Sequence, residues 1–125
     1  MTDLPAIDPR GYRDTLGRMP TGVTIITTCD ENGERAGATV GSFTSLSLDP
    51  PLVQFSLDKS ANCHQQFIEC SHFAVNILAE DQTDLSGIFA SKNDRPWDEL
   101  PLVEGDHTTA PLLEGCLAYI ECQHE

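Results

Sequence analysis

Gly37-Ala-Thr-Val-Gly-Ser-Phe-Thr-Ser-Leu-Ser-Leu-Asp-Pro-Pro51 mixes small, hydroxyl-bearing and apolar residues and stops at a pair of prolines. From about Ala36 to Leu48 an extended chain would put Val40, Ser42, Thr44, Leu46 and Leu48 on one face. Gly41, Phe43, Ser45 and Ser47 would then share the other. Pro50-Pro51 interrupts pairing, because neither residue has a backbone N–H to give a ladder. The stretch before it, Gly22-Val-Thr-Ile-Ile-Thr-Thr28, is rich in β-branched residues and reads as a strand. Asp30-Glu-Asn-Gly33 supplies a turn between the two.

Further out, the pattern alternates strands with short helices. Leu52 to Leu57 is a third strand with Val53, Phe55 and Leu57 alternating, and Phe73 to Leu78 a fourth. Between them Ser60 can cap a helix from Ala61 to about Cys70, with Cys63, Phe67 and Cys70 on one face. Asp81 can cap another helix, ending near Phe89 and Ala90. Upstream, Asp8-Pro9 can open a helix whose face carries Tyr12, Leu16 and Met19 and which Pro20 and Gly22 end. The segment from Ser91 to Pro111 shows little periodicity, and Leu117 to Cys122 is a last strand. Strands arriving in this succession predict a mainly β, antiparallel sheet closing into a small barrel. The sequence stops at Gln123-His124-Glu125 inside a strand-like run, so a barrel lacking its C-terminal strands is expected.

A chain of 125 residues holds one domain, 1–125, with no room for a second core. Seven Lys plus Arg against 20 Asp plus Glu give a net charge of −13, which argues against nucleic-acid or anionic membrane partners. Met1 to Asp8 carry two acids and no apolar run, so no secretory signal is read and a cytoplasmic protein is expected. Five cysteines without a Cys-x-x-Cys pair read as reduced, mostly buried thiols. The four histidines show no His-Glu-x-x-His spacing, so no metal site is assigned.

The chemistry concentrates in two places. Lys59 is the only basic residue between Arg35 and Lys92, and it sits beside Ser60 and Asn62. A cation, a hydroxyl, an amide and the N–H groups of a starting helix favour an anion such as phosphate. The same letters also fit a plain N-capped helix with a solvated lysine. Thr39, Ser42, Thr44, Ser45 and Ser47 form a hydroxyl-rich strand, where Gly37, Ala38 and Gly41 would let a flat ligand approach the backbone. An edge strand with one wet face has the same composition.

Taken together and in order, these segments resemble the flavin reductase family with the FMN-binding split-barrel fold, an antiparallel Greek-key barrel. The resemblance is carried by Thr21-Gly-Val-Thr-Ile-Ile-Thr-Thr28, the Gly37–Val53 stretch and Phe73-Ala-Val-Asn-Ile-Leu78, and extends to Asp8-Pro-Arg10, Ala110-Pro-Leu-Leu-Glu-Gly115 and Leu117-Ala-Tyr-Ile-Glu-Cys122. Within the family it is most similar to the small reductase components of two-component flavin-dependent monooxygenases.

The resemblance implies FMN or FAD as cofactor, NADH or NADPH as hydride donor, a homodimer, and a partner monooxygenase that receives reduced flavin. It places the flavin ring along Gly37, Ala38, Thr39, Val40, Gly41 and Ser42, flanked by Ser45, Leu46 and Ser47. The phosphate falls to Ser56, Asp58, Lys59, Ser60, Asn62 and Cys63, and the ribityl or nucleotide end to Phe89, Ser91 and Lys92. No residue is assigned a catalytic acid–base role, because orientation of the two cofactors suffices. A flavin-binding module of the same fold without reductase activity is the alternative.

Two departures stand out. Family members continue beyond the position of Glu125 with a Gly-Asp-His motif whose His helps bind the nicotinamide nucleotide. Here Gly105-Asp-His107 has those letters upstream of Pro111-Leu-Leu-Glu-Gly115, so His107 is read as a surface-loop residue. Position 63 is Cys where Ser or Thr is common. Trp97 is expected to anchor the long polar segment, and Cys63 and Cys70 to be packed thiols rather than a redox pair.

Overall fold

A computed structural model describes residues 4–18 and 22–125. Four strands form one sheet: β1 (Thr24–Cys29), β2 (Arg35–Val40), β5 (His72–Ile77) and β8 (Ala118–Gln123), in the order β2-β1-β5-β8. Every neighbouring pair is antiparallel. The β1–β2 hairpin turns on Asp30, whose carboxylate accepts from the N–H groups of Asn32 and Glu34 at 2.8 and 2.9 Å, and on Gly33 with φ +82°. That is the turn the sequence predicts.

β1 is buried on both faces, which explains its continuous run of β-branched residues. Ile26 joins Ala38, Val40, Phe73 and Val75 in a core closed by Phe67 of α2 (His64–Glu69). Ile25 points the other way, into a second core with Phe89 of α3 (Thr83–Ala90) and Leu113 of β7 (Leu112–Leu113). The threonines of β1 avoid a desolvation penalty by donating to backbone carbonyls: Thr24 to Val40, Thr27 to Pro111 and Thr28 to His72. Among the described residues, no buried side-chain nitrogen or oxygen lacks a partner.

The long extended stretch divides. β2 ends at Val40, and Thr44–Leu48 leaves the sheet as β3 to pair with β4 (Pro51–Gln54) in a separate hairpin. A register shift between Ser45 and Ser47 breaks the alternation expected over residues 36–48, so the predicted two faces do not persist through β3. The prolines also act differently from the expectation. Pro50 follows a cis bond in the turn, while Pro51 opens β4 opposite Leu48, a first-strand position where its missing N–H is tolerated. Phe55, just past β4, pins the hairpin to the core by edge contacts with Phe67 at 6.0 Å and Phe73 at 5.3 Å between ring centres.

The helices are shorter than predicted. α1 (Pro9–Leu16) has the expected Asp8 cap, whose carboxylate accepts from Gly11 N–H at 3.1 Å. Its Tyr12 and Leu16 are nevertheless exposed; Met19 and Pro20 lie outside the described residues. α2 starts at His64 with no side-chain cap, because Ser60 turns back to Asp58 instead. α3 ends at Ala90 as predicted, but Asp81 lies in a 3-10 turn (Glu80–Gln82) before it. There Gln82 takes the bonding role, accepting from Ala79 N–H at 2.7 Å and donating to the Glu114 carbonyl. The polar segment carries β6 (Leu102–Val103), paired with β7. No described helix is long and apolar enough to cross a membrane.

Candidate functional site

β2 is an edge strand, and its outer side meets the 58–63 turn and the C-terminal end of α3. The Asn62 side chain donates to the Lys92 carbonyl at 2.9 Å, joining turn to helix end. Within the turn, Asp58 accepts from both the N–H and the hydroxyl of Ser60 at 2.9 Å. These Ser60 bonds, the N–H foremost, hold the Asp58 carboxyl below its ordinary value, with Lys92 and His64 adding to the effect. Lys59 and Lys92 are exposed on the rim.

Arg95, which sequence reasoning overlooked, sits where these segments converge. Its Nε donates to the Gly37 carbonyl at 3.2 Å and its Nη2 to Phe89 at 2.9 Å. Nη1 reaches the carbonyls of Ile88, Ser91 and Asn93 at 3.1, 2.8 and 2.7 Å. The guanidinium lies over the Phe89 ring, 5.5 Å from its centre. A basic residue just beyond a helix stop is the one sequence signal available for such a cap. With Lys59 on the adjoining turn and Lys92 at the helix end, three of the chain's seven Lys and Arg fall on the segments that meet here.

The predicted residues therefore divide by what the fold already asks of them. Gly37 has no free space on its side-chain side: a Cβ there would lie 2.6 Å from the Phe89 ring and 3.3 Å from Trp97. Its smallness admits this chain's own aromatics on that side. Ala38, Val40 and Cys63 turn into the core, so a ligand could reach only their backbone. Burial pushes the Cys63 thiol up, against a lowering by Arg95, and its sulfur faces the Gly37 carbonyl. Phe89 is buried, with its ring edge-on to Trp97 at 5.3 Å, so Trp97 anchors its loop as expected. Thr39 donates to the Ser86 carbonyl at 2.7 Å. Ser42 and Ser56 are locked together, the Ser42 hydroxyl accepting from Ser56 N–H at 2.8 Å and donating to its carbonyl. Ser91 donates to Ile88. Gly41 stays open, with nothing within 4 Å of where a Cβ would stand.

Ser45 and Ser47 lie elsewhere. They line a largely apolar cleft of about 780 Å³ between the β3–β4 hairpin and β8, whose wall includes Phe55, Phe67 and Ile120. Leu46, between them, is exposed. All five cysteines are free thiols, but only Cys63 is buried; the other four are half-buried, less than the sequence predicts. No cluster of three or more His, Cys, Asp or Glu able to hold a metal occurs among the described residues.

His107 occupies an exposed loop, and its N–H joins Thr108 in donating to the Glu121 carboxylate. Desolvation raises the Glu121 carboxyl, but the bonds from Thr108 and His107 outweigh it and leave the group lowered. A lowered carboxyl stabilises above its unfolded value and loses that contribution as pH falls through its folded value. Acidification below about pH 4 should thus release the 105–108 loop. Amide exchange at His107 and Thr108, compared between mildly and strongly acidic buffer, checks this; protection that survives acid contradicts it.

A sequence model described as the flavin reductase like domain matches residues 16–125. The chain belongs to the flavin reductase family. Similar members include the reductase component of a flavin-dependent trigonelline monooxygenase from Acinetobacter baylyi, 40% identical over 98% of this chain and 39% of the relative. An FMN reductase (NADH) from Agrobacterium fabrum is 43% identical over 91% of this chain and 64% of its own length. The chain thus spans less than two thirds of either relative. A solved NADH:FAD oxidoreductase from Streptomyces globisporus, in complex with NAD and FAD fragments, superposes with a TM-score of 0.86 at 36% identity. That match covers 98% of this chain and 75% of the solved one. The sheet and its short helices are the family's split barrel, as the sequence predicts.

Proposed function

We propose that this chain belongs to an NAD(P)H:flavin oxidoreductase that reduces FMN or FAD and supplies the reduced flavin to a partner monooxygenase. The observation that carries the reading is the junction itself, where the Asn62 side chain ties the turn that carries Lys59 to the helix end that carries Lys92, beside an edge strand in a chain of net charge −13. The open face at Gly41 and the cationic rim fit a flat ring ending in a phosphate. Bound flavin would accept a hydride from the nicotinamide nucleotide. The chain's own part is to bind and orient: Lys59 and Lys92 offer charge to phosphate, and the Asn62 bond holds the turn against the helix end. The names of the relatives support the nicotinamide donor and the oxygenase partner. A cytoplasmic homodimer completes the reading.

The test is a titration with FMN, then FAD, followed by NADH in a stopped-flow absorbance experiment. Rapid bleaching of the flavin establishes the reductase, whereas binding without bleaching makes the chain a flavin-binding module. Replacing Lys59 and Lys92 together by alanine should weaken FMN about tenfold and leave riboflavin, which lacks the phosphate, unchanged. Equal losses for both ligands would remove the phosphate from this rim.

A further inference from the structure

We infer that Arg95 is a positioning residue of the flavin site, setting flavin affinity through the backbone it holds. The inference rests on the proposed flavin-binding reading and adds a residue to it. Arg95 bonds almost entirely to main-chain oxygens, and these come from both walls of the junction: Gly37 on β2, then Ile88, Phe89, Ser91 and Asn93 around the end of α3. Lys92 lies between Ser91 and Asn93, whose carbonyls share one Arg95 nitrogen, and its own carbonyl is held by Asn62. The guanidinium therefore fixes the peptide path from which the Lys92 side chain departs.

Electrostatics leads to the same residue. The carbonyl end of a helix carries partial negative charge, which repels an anion placed beside it. Here Ile88, Phe89 and Ser91 would present that end toward the rim that Lys59 and Lys92 offer to phosphate. Arg95 neutralises it. A lysine would keep the charge but not the planar fork that reaches several carbonyls at once.

FMN binding, followed by flavin fluorescence on the full chain, tests the inference. Arg95→Ala should weaken FMN about tenfold, with millimolar guanidinium restoring much of the loss. Arg95→Lys should fall between the two, and it decides the matter if the alanine variant does not fold. Tyr119→Phe, which loses a bond to the Leu113 carbonyl away from the junction, controls for lost stability and should bind FMN like the wild type. Wild-type affinity in a folded Arg95 variant, or an equal loss in Tyr119→Phe, overturns the positioning role alone. Absence of flavin binding by the wild type overturns the functional reading and this inference with it.

Discussion

Gly37→Ala should lower the free energy of unfolding by about 1–3 kcal/mol, as overpacking of a filled core does. The new Cβ would stand 2.6 and 2.8 Å from two carbons of the Phe89 ring. That ring cannot retreat easily: it is 1% exposed, meets Trp97 edge-on and has Arg95 over its face. β2 cannot yield either without disturbing its pairing with β1, where Gly37 stands opposite Thr27. The clash should be relieved by shortening its partner. Phe89→Leu, costly in the wild type, should cost less in the alanine background, giving a coupling of roughly 0.5–3 kcal/mol in a double-mutant cycle. Strictly additive melting data from the four proteins would refute the contact.

The second large effect is expected at Asn76, a polar side chain with no exposure in the middle of the sheet. Its amide nitrogen donates to the Ile25 carbonyl at 2.9 Å and to the Thr27 hydroxyl at 3.1 Å. Its oxygen accepts from Leu113 N–H at 2.9 Å, tying β7 onto β5. Asn76→Ala would orphan the Leu113 donor and open a small cavity, while the Ile25 carbonyl, which faces Asn76 across the β1–β5 ladder, keeps its main-chain partner. With about 1–3 kcal/mol for the buried donor left unpaired and a further contribution from the cavity, a total near 2–4 kcal/mol follows. Denaturant unfolding measures it directly. A loss below about 1 kcal/mol would mean that water or a rearranged backbone takes over these bonds.

Both positions show what could and could not be read from the letters. β1, β5 and β8 were legible because their residues, β-branched or alternating, carry the strand signal locally. The Asp30–Gly33 turn and the Asp8 cap were legible for the same reason: each is decided within a few residues. The smallness of Gly37 is plain in the sequence, yet the ring filling its space comes from a distant helix, and no periodicity links them. The bulge at Ser45–Ser47 was invisible because one extra residue in a hairpin leaves the composition unchanged. Arg95 was missed because its partners are carbonyls, which every residue type provides equally. Lys59 is legible by its rarity and Lys92 only through the family resemblance, whereas the fold is needed to tie the turn of the one to the helix end of the other.

The β3–β4 hairpin is closed at its base by the Ser42–Ser56 pair and joined to the rest by side-chain packing, with Phe43, Val53, Phe55 and Leu57 against the first core. Its ladder is self-contained, so swinging away breaks none of the four-stranded sheet's pairing. β1, enclosed between two strands and two cores, can open only when the whole domain does. The molecule accordingly has two kinds of cohesion, a hairpin held by side-chain packing and a sheet held by its ladder. Because the hairpin walls the apolar cleft, a displacement of it would change the width of that cleft without breaking the sheet's pairing.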